Sequence, residues 1–206
     1  DLTSAPTDPP VLGFFARMCE DKGLAMLVES FVLLKQREET KNLRLKIGGG
    51  LGPSDEPLVQ SIKERLEKFG ILGSVEFCPN LSREEKVAFF RSLTVFSAPA
   101  LYGETFGLYV IEALAAGVPV VQPRHAAFPE IVEATGGGIL VEPGSAEALA
   151  DGIESLIADP KRARSLGETG RDRVGKQNSV DVMAEQIVDV YRRAIKTSSR
   201  SKGGDS

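Results

Sequence analysis

Thr94-Val95-Phe96-Ser97, a loop to Gly103, a helical stretch from Phe106 to Gly117, and then Val118-Pro119-Val120-Val121 form the stretch that decides the fold. Two short apolar runs separated by one helical pattern read as strand, crossover helix and parallel strand. Gly117 stands where a left-handed helix end is expected, and Pro119 forbids continuation.

The same alternation extends in both directions. Upstream lie strand candidates Val11-Leu12-Gly13-Phe14-Phe15, Leu43-Arg44-Leu45-Lys46-Ile47 and Val75-Glu76-Phe77. Helices are expected between them from about Leu24 to Gln36 and from about Leu58 to Phe69. Ser82 is placed to cap a further helix through Ser92, with Glu85 three residues on as its capping-box partner. Downstream come a short helix from Phe128 to Ala134 and a last strand at Ile139-Leu140-Val141. From Ser145 onward the chain is expected to be helical, with Met183, Ile187, Val190, Tyr191 and Ala194 on one face. Strict alternation of strand and helix implies right-handed crossovers and an α/β, Rossmann-like parallel sheet of about six strands flanked by helices.

Composition bounds the function. The chain has 206 residues, 42% of them apolar, with a net charge of −4. That share supports a real core, and the acidic balance argues against nucleic acid or an anionic membrane as the main partner. No apolar run approaches the ~20 residues a spanning helix needs. The two cysteines, Cys19 and Cys78, suggest a reducing, cytoplasmic setting and free thiols. The opening Pro/Ser/Thr segment, residues 1–10, reads as an interdomain linker, so a piece of a longer protein is expected. Residues 11–196 then form the domain, and the Ser/Gly/Lys-rich stretch 197–206 a tail.

In a parallel sheet, ligands sit beyond the carboxyl ends of the strands. The loop after Phe15 carries Arg17 and Lys22 at a helix entrance, a combination that suits a diphosphate or else is surface charge neutralised by Glu20 and Asp21. The loop after Ser97 carries Glu104 and leads into a helix bearing Glu112. Gly107 lets a ligand approach the backbone closely, and the helix start offers N–H donors. Two carboxylates so placed could contact different parts of one elongated ligand, since sugar hydroxyls donate to carboxylate oxygens. Spacing alone is weak: Glu56/Glu64 and Glu76/Glu84 are separated by the same interval. The context between a strand end and the helix carries the specificity. His125, the chain's lone histidine, is either a base or a packing and hydrogen-bonding group. The pattern shows no metal-ligand cluster.

The string Glu104-Thr105-Phe106-Gly107-Leu108-Tyr109-Val110-Ile111-Glu112-Ala113-Leu114-Ala115-Ala116-Gly117-Val118-Pro119-Val120-Val121 resembles the donor-site signature of retaining GT-B glycosyltransferases of family 4. Arg17, Lys22-Gly23, the turn Gly48-Gly49-Gly50, Phe128-Pro129-Glu130-Ile131-Val132 and Gly138-Ile139-Leu140-Val141 extend the likeness in order. The chain departs from it at Ala16, Pro79, Ala100 and His125-Ala126-Ala127. The resemblance implies a C-terminal donor domain, binding a nucleotide-diphosphate sugar as substrate and requiring no cofactor or metal. Arg17 and Lys22 would hold the diphosphate, Glu104 the sugar hydroxyls and Glu112 the ribose. Backbone at Thr105, Phe106, Gly107 and Leu108 would cradle sugar and phosphate oxygens. The glycine turn at Gly48 and the segment Asn80-Leu81 would border the nucleotide. Its partner would be an N-terminal acceptor domain outside this chain, and any contact with a membrane surface would run through that half. Two other functions fit the same residues: a nucleotide-sugar epimerase or hydrolase of similar fold, and a non-catalytic nucleotide-binding module.

Overall fold

The central strand of the sheet is Val11–Phe15 (β1), whose first four residues are buried on both faces. The computed structural model describes residues 8–177 together with Val182, Val188, Tyr191 and Arg192. After β1 come α1 (Leu24–Lys35), β2 (Arg44–Gly49), α2 (Glu56–Lys68), β3 (Val75–Pro79) and α3 (Arg83–Arg91). Then follow β4 (Val95–Phe96), α4 (Leu108–Ala115), β5 (Val120–Pro123), α5 (Phe128–Thr135), β6 (Gly138–Val141), α6 (Ala146–Ile157) and α7 (Pro160–Gln177).

All six strands are parallel, in the order β3-β2-β1-β4-β5-β6. The order reverses between β1 and β4, so the connections after these two neighbours lead to opposite sides of the sheet and leave a crevice at their carboxyl ends. The join there is thin. β4 pairs with β1 at Leu12↔Val95 and Gly13↔Phe96, and with β5 only at Phe96↔Val120.

Burial follows the apolar pattern. Leu12, Phe14, Leu45, Ile47, Val95, Phe96, Val120 and Val121 are fully buried, as parallel strands covered on both faces should be. The edge strands β3 and β6 are only half-buried or exposed along their length. Helix α1 buries Leu24, Leu27, Val28, Phe31, Val32 and Leu34. So apolar a helix needs cover on more than one side, and it packs against both α6 and α2. Helix α7 covers α4 and α5.

Several boundaries differ from expectation for local reasons. Ser82 and Glu85 form the reciprocal capping box that their spacing predicts. Gly117 is left-handed, and β5 begins just after Pro119. Strand β2 runs on through Gly48 and Gly49, because the neighbouring β3 continues to Cys78 and Pro79 opposite them. Helix α4 starts at Leu108 rather than Phe106, since Gly107 is left-handed and forms its N-cap. The helical region after Ser145 is two helices. Pro160 lacks the N–H to continue α6, and Asp159 accepts from the Arg162 N–H to start α7.

Residues 1–7 of the expected linker and the whole tail 197–206 lie outside the described residues, as do Met183, Ile187, Val190 and Ala194 of the expected apolar face. Tyr191 is described, and it is exposed. Among the described residues no helix is long and apolar enough to cross a membrane.

Candidate donor-binding site

Two loops meet at the β1/β4 crevice. The Leu101 N–H donates to the Asp21 carbonyl, joining the loop after β4 to the loop after β1. Across this seam Lys22 Nζ contacts Glu104 Oε2 at 2.7 Å, two residues 82 positions apart in the chain. Glu104 has two further kinds of donor. The N–H groups of Phe106 and Gly107 reach Oε1 at 3.3 and 3.0 Å, and the Tyr109 hydroxyl reaches Oε2 at 2.8 Å.

The Glu104 side chain is 10% exposed. Burial opposes its ionisation, but Lys22, the Gly107 N–H, Tyr109 and the Phe106 N–H outweigh it and hold the carboxyl at about 2. The two N–H groups just before α4, of Phe106 and its N-cap Gly107, are therefore turned onto a side chain of the same loop. This explains the late helix start, since the chain from Glu104 to Gly107 closes a turn around the carboxylate.

Arg17 is positioned separately. Its guanidinium fork meets Asp55, Nε to Oδ2 and Nη2 to Oδ1, each at 3.0 Å, and Nη2 also donates to Ser54 at 3.1 Å. Asp55 is 6% exposed while Arg17 is 60% exposed, so the loop after β2 grips one edge of a guanidinium that otherwise faces solvent. Asp55 lies below the usual carboxylate range because Arg17 donates to it, and Arg17 is raised by the same bond.

Glu112, in the second turn of α4, pairs with Lys86 of α3 at 2.6 Å. Lys86 also lies 5.9 Å from the centre of the Phe15 ring at the end of β1. A groove of about 450 Å³ opens beside this pair, between α3, α4 and α7, with Arg83, Val87, Phe90 and Arg171 in its walls.

The other expected site residues fall around these contacts. Gly48 lies under the Phe15 ring, where a Cβ would come within 2.7 Å of it. Asn80 is left-handed, and its amide pairs with both the N–H and the carbonyl of Leu51 at 3.0 and 3.1 Å, tying the β3 loop to the β2 loop. Leu81 is half-buried against the core. Thr105, Phe106 and Leu108 are exposed on the rim. His125 donates a ring N–H to the Ala100 carbonyl at 2.7 Å and packs edge-on against Phe128. Both cysteines are free thiols. Among the described residues no group of three or more His, Cys, Asp or Glu side chains could hold a metal ion.

The structure thus brings Lys22 and Glu104 into direct contact and leaves Arg17 and Glu112 each with a partner absent from the sequence reading. Asp55, Lys86 and Tyr109 are the missed residues. Of these, Tyr109 alone left a trace, because a tyrosine on the apolar face of a helix needs somewhere to put its hydroxyl.

A carboxylate-bearing loop, two cations and a helix start at the switch point of a parallel sheet suit a ligand that is both anionic and rich in hydroxyls. The family model described as "Glycosyl transferases group 1" matches residues 3–173. The chain belongs to this family. Within it, the chain is 30% identical over 191 residues to D-inositol 3-phosphate glycosyltransferase of Corynebacterium aurimucosum, covering 92% of this chain and 44% of that protein. It is 27% identical to a GDP-mannose-dependent alpha-(1-6)-phosphatidylinositol monomannoside mannosyltransferase of Mycobacterium tuberculosis, covering 89% of this chain and 47% of that protein. Among solved structures, sucrose-phosphate synthase of Thermosynechococcus elongatus superposes with a TM-score of 0.80 at 28% identity, covering 91% of this chain and 46% of that one. This group 1 glycosyltransferase domain therefore spans a little under half the length of the curated relatives it matches.

Proposed function

We propose that this chain is the donor-binding half of a retaining, cytoplasmic GT-B glycosyltransferase of family 4, with a nucleotide-diphosphate sugar as substrate. The observation that carries the reading is the Lys22–Glu104 contact beside the start of α4. Lys22, which would meet a phosphate, and Glu104, which would accept from a hydroxyl, lie within one hydrogen bond of each other. In this reading Lys22 and Arg17 meet the negative charge that grows on the leaving diphosphate as the glycosidic bond breaks, which a preorganised site does without reorganising solvent. Asp55 holds one edge of the Arg17 guanidinium, and in this reading the chain's own cations do the work with no metal required.

Glu104 accepts from the sugar hydroxyls. The exposed rim at Thr105, Phe106 and Leu108 borders the sugar, while Gly107, buried against Ile131 and bonded through its N–H to Glu104, shapes the turn that presents it. Glu112 accepts from the ribose hydroxyls, and the backbone at Asn80 and Leu81, with the turn after Gly48, borders the base. The acceptor wall belongs to a second domain, a reading supported by relatives about twice as long as this chain. The GDP-mannose dependence named for the mycobacterial relative supports a nucleotide sugar as donor.

Calorimetric titration of this chain with UDP, GDP and ADP tests the reading. Binding of at least one diphosphate, weakened in Lys22→Ala and Glu112→Ala, is expected. Failure of all three nucleotides to bind would overturn the donor-site assignment. Appreciable sugar transfer by the 206-residue chain alone would overturn the need for a second domain.

A further inference from the structure

Tyr109 sits in the first turn of α4 with its ring against Phe96 of β4, centroids 6.2 Å apart. Lys22 Nζ lies 5.7 Å from the centre of the same ring. Burial, and then the carboxylate it faces, pushes the phenol far above its usual range. It therefore stays protonated and acts on Glu104 only as a donor.

A carboxylate offers about four acceptor positions, and on Glu104 four donors occupy them. The two on Oε2 are the short ones, Lys22 at 2.7 Å and Tyr109 at 2.8 Å. The two backbone N–H groups on Oε1 lie at 3.0 and 3.3 Å. These donors differ in what an anionic ligand does to them. Lys22 is a cation on a flexible stem, and a diphosphate beside it competes with Glu104 for its protons. Tyr109 is neutral, fixed at its base by the helix and along its ring by Phe96, and gains nothing by turning to a phosphate. When Lys22 leaves Oε2, Tyr109 is the short contact that remains there.

We propose that Tyr109 is the positioning residue that holds the Glu104 carboxylate in place while Lys22 engages the diphosphate, so that a hydroxyl of the donor sugar takes the position Lys22 has left. The inference rests on the donor-site reading above and adds the division of labour within it: Lys22 serves the diphosphate, and Tyr109 serves the sugar through Glu104.

Tyr109→Phe keeps the ring and its contact with Phe96 and removes only the hydroxyl. Calorimetry on this chain compares UDP with UDP-glucose and GDP with GDP-mannose. In the variant, affinity for the bare diphosphate is expected to be unchanged and affinity for the nucleotide sugar to fall about tenfold, the scale of one lost hydrogen bond to a charged group. In a Glu104→Gln background the same substitution is expected to cost nothing further, because its effect passes through the carboxylate. Equal losses for diphosphate and nucleotide sugar, no loss for either, or a full loss in the Glu104→Gln background would each overturn the assignment of Tyr109. A wild-type chain that binds neither ligand overturns the donor-site reading itself, and the two failures are thereby distinct.

Discussion

Replacing Glu104 by glutamine keeps the shape of the side chain and removes its charge, and the four donors around it make the cost calculable. The folded protein holds this carboxyl at about 2, against its ordinary 4.5. Each pH unit of difference corresponds to about 1.4 kcal/mol, so the ionised group contributes on the order of 3 kcal/mol to folding at neutral pH. At 10% exposure, screening by solvent reduces that figure little. Glutamine leaves most of it unrecovered, because its single oxygen serves only one side of the site and its NH₂ then displaces either the two backbone N–H groups or the Lys22 ammonium, which cannot accept. The sign follows from proton binding. Below 4.5 the unfolded chain takes up a proton that the folded protein still refuses, so the stabilisation is complete above pH 4.5 and drains away as pH falls toward 2. Urea unfolding of the wild type and Glu104→Gln across pH 7 to 3 measures the difference. The expected gap is about 3 kcal/mol at pH 7, constant down to about pH 4.5 and shrinking below it. A gap that stays the same between pH 6 and pH 3, or one too small to measure at pH 7, would refute the reasoning.

Two further substitutions test the frame that holds the site. Gly107→Ala places a side chain at φ 64°, with its Cβ 2.9 Å from the tip of Ile131. Ile131 has room to yield, so the left-handed backbone sets the cost at about 1–2 kcal/mol, seen as a lower urea midpoint with an unchanged slope. Phe31→Ala empties a fully buried position on α1; a loss of about 3–5 kcal/mol in the same assay is expected.

Much of the fold was legible because it is written in short-range patterns. Apolar runs at Val11–Phe15 and Val120–Val121, the Ser82/Glu85 cap and the Gly117-Val118-Pro119 stop each act within a few residues, and each appears in the structure. The break at Asp159-Pro160 belongs to the same class of signal, an N-cap followed by proline at the first helical position, although the sequence expectation runs helix through it without a break. The partners within the site were not. Asp55 meets Arg17 across 38 positions and Lys86 meets Glu112 across 26, and only the sheet order makes them neighbours. In the sequence Phe106 and Gly107 offer N–H donors to a ligand, whereas the Glu104 carboxylate, two and three residues back, already accepts from both. That contact depends on the left-handed turn at Gly107, which propensity does not reveal.

The thin pairing of β4 also has a consequence for how the site comes into being. The half-sheet built on β1, β2 and β3 lies within residues 11–79, while the half built on β5 and β6 draws on residues beyond 115. A two-residue strand joins them, and Lys22 and Glu104 stand on opposite sides of that join. Each half carries part of the site, Arg17 with Asp55 on one side and Glu104 with Tyr109 on the other, but the Lys22–Glu104 contact needs both. The site is a property of the closed seam, acquired in the same step that makes the two halves one body.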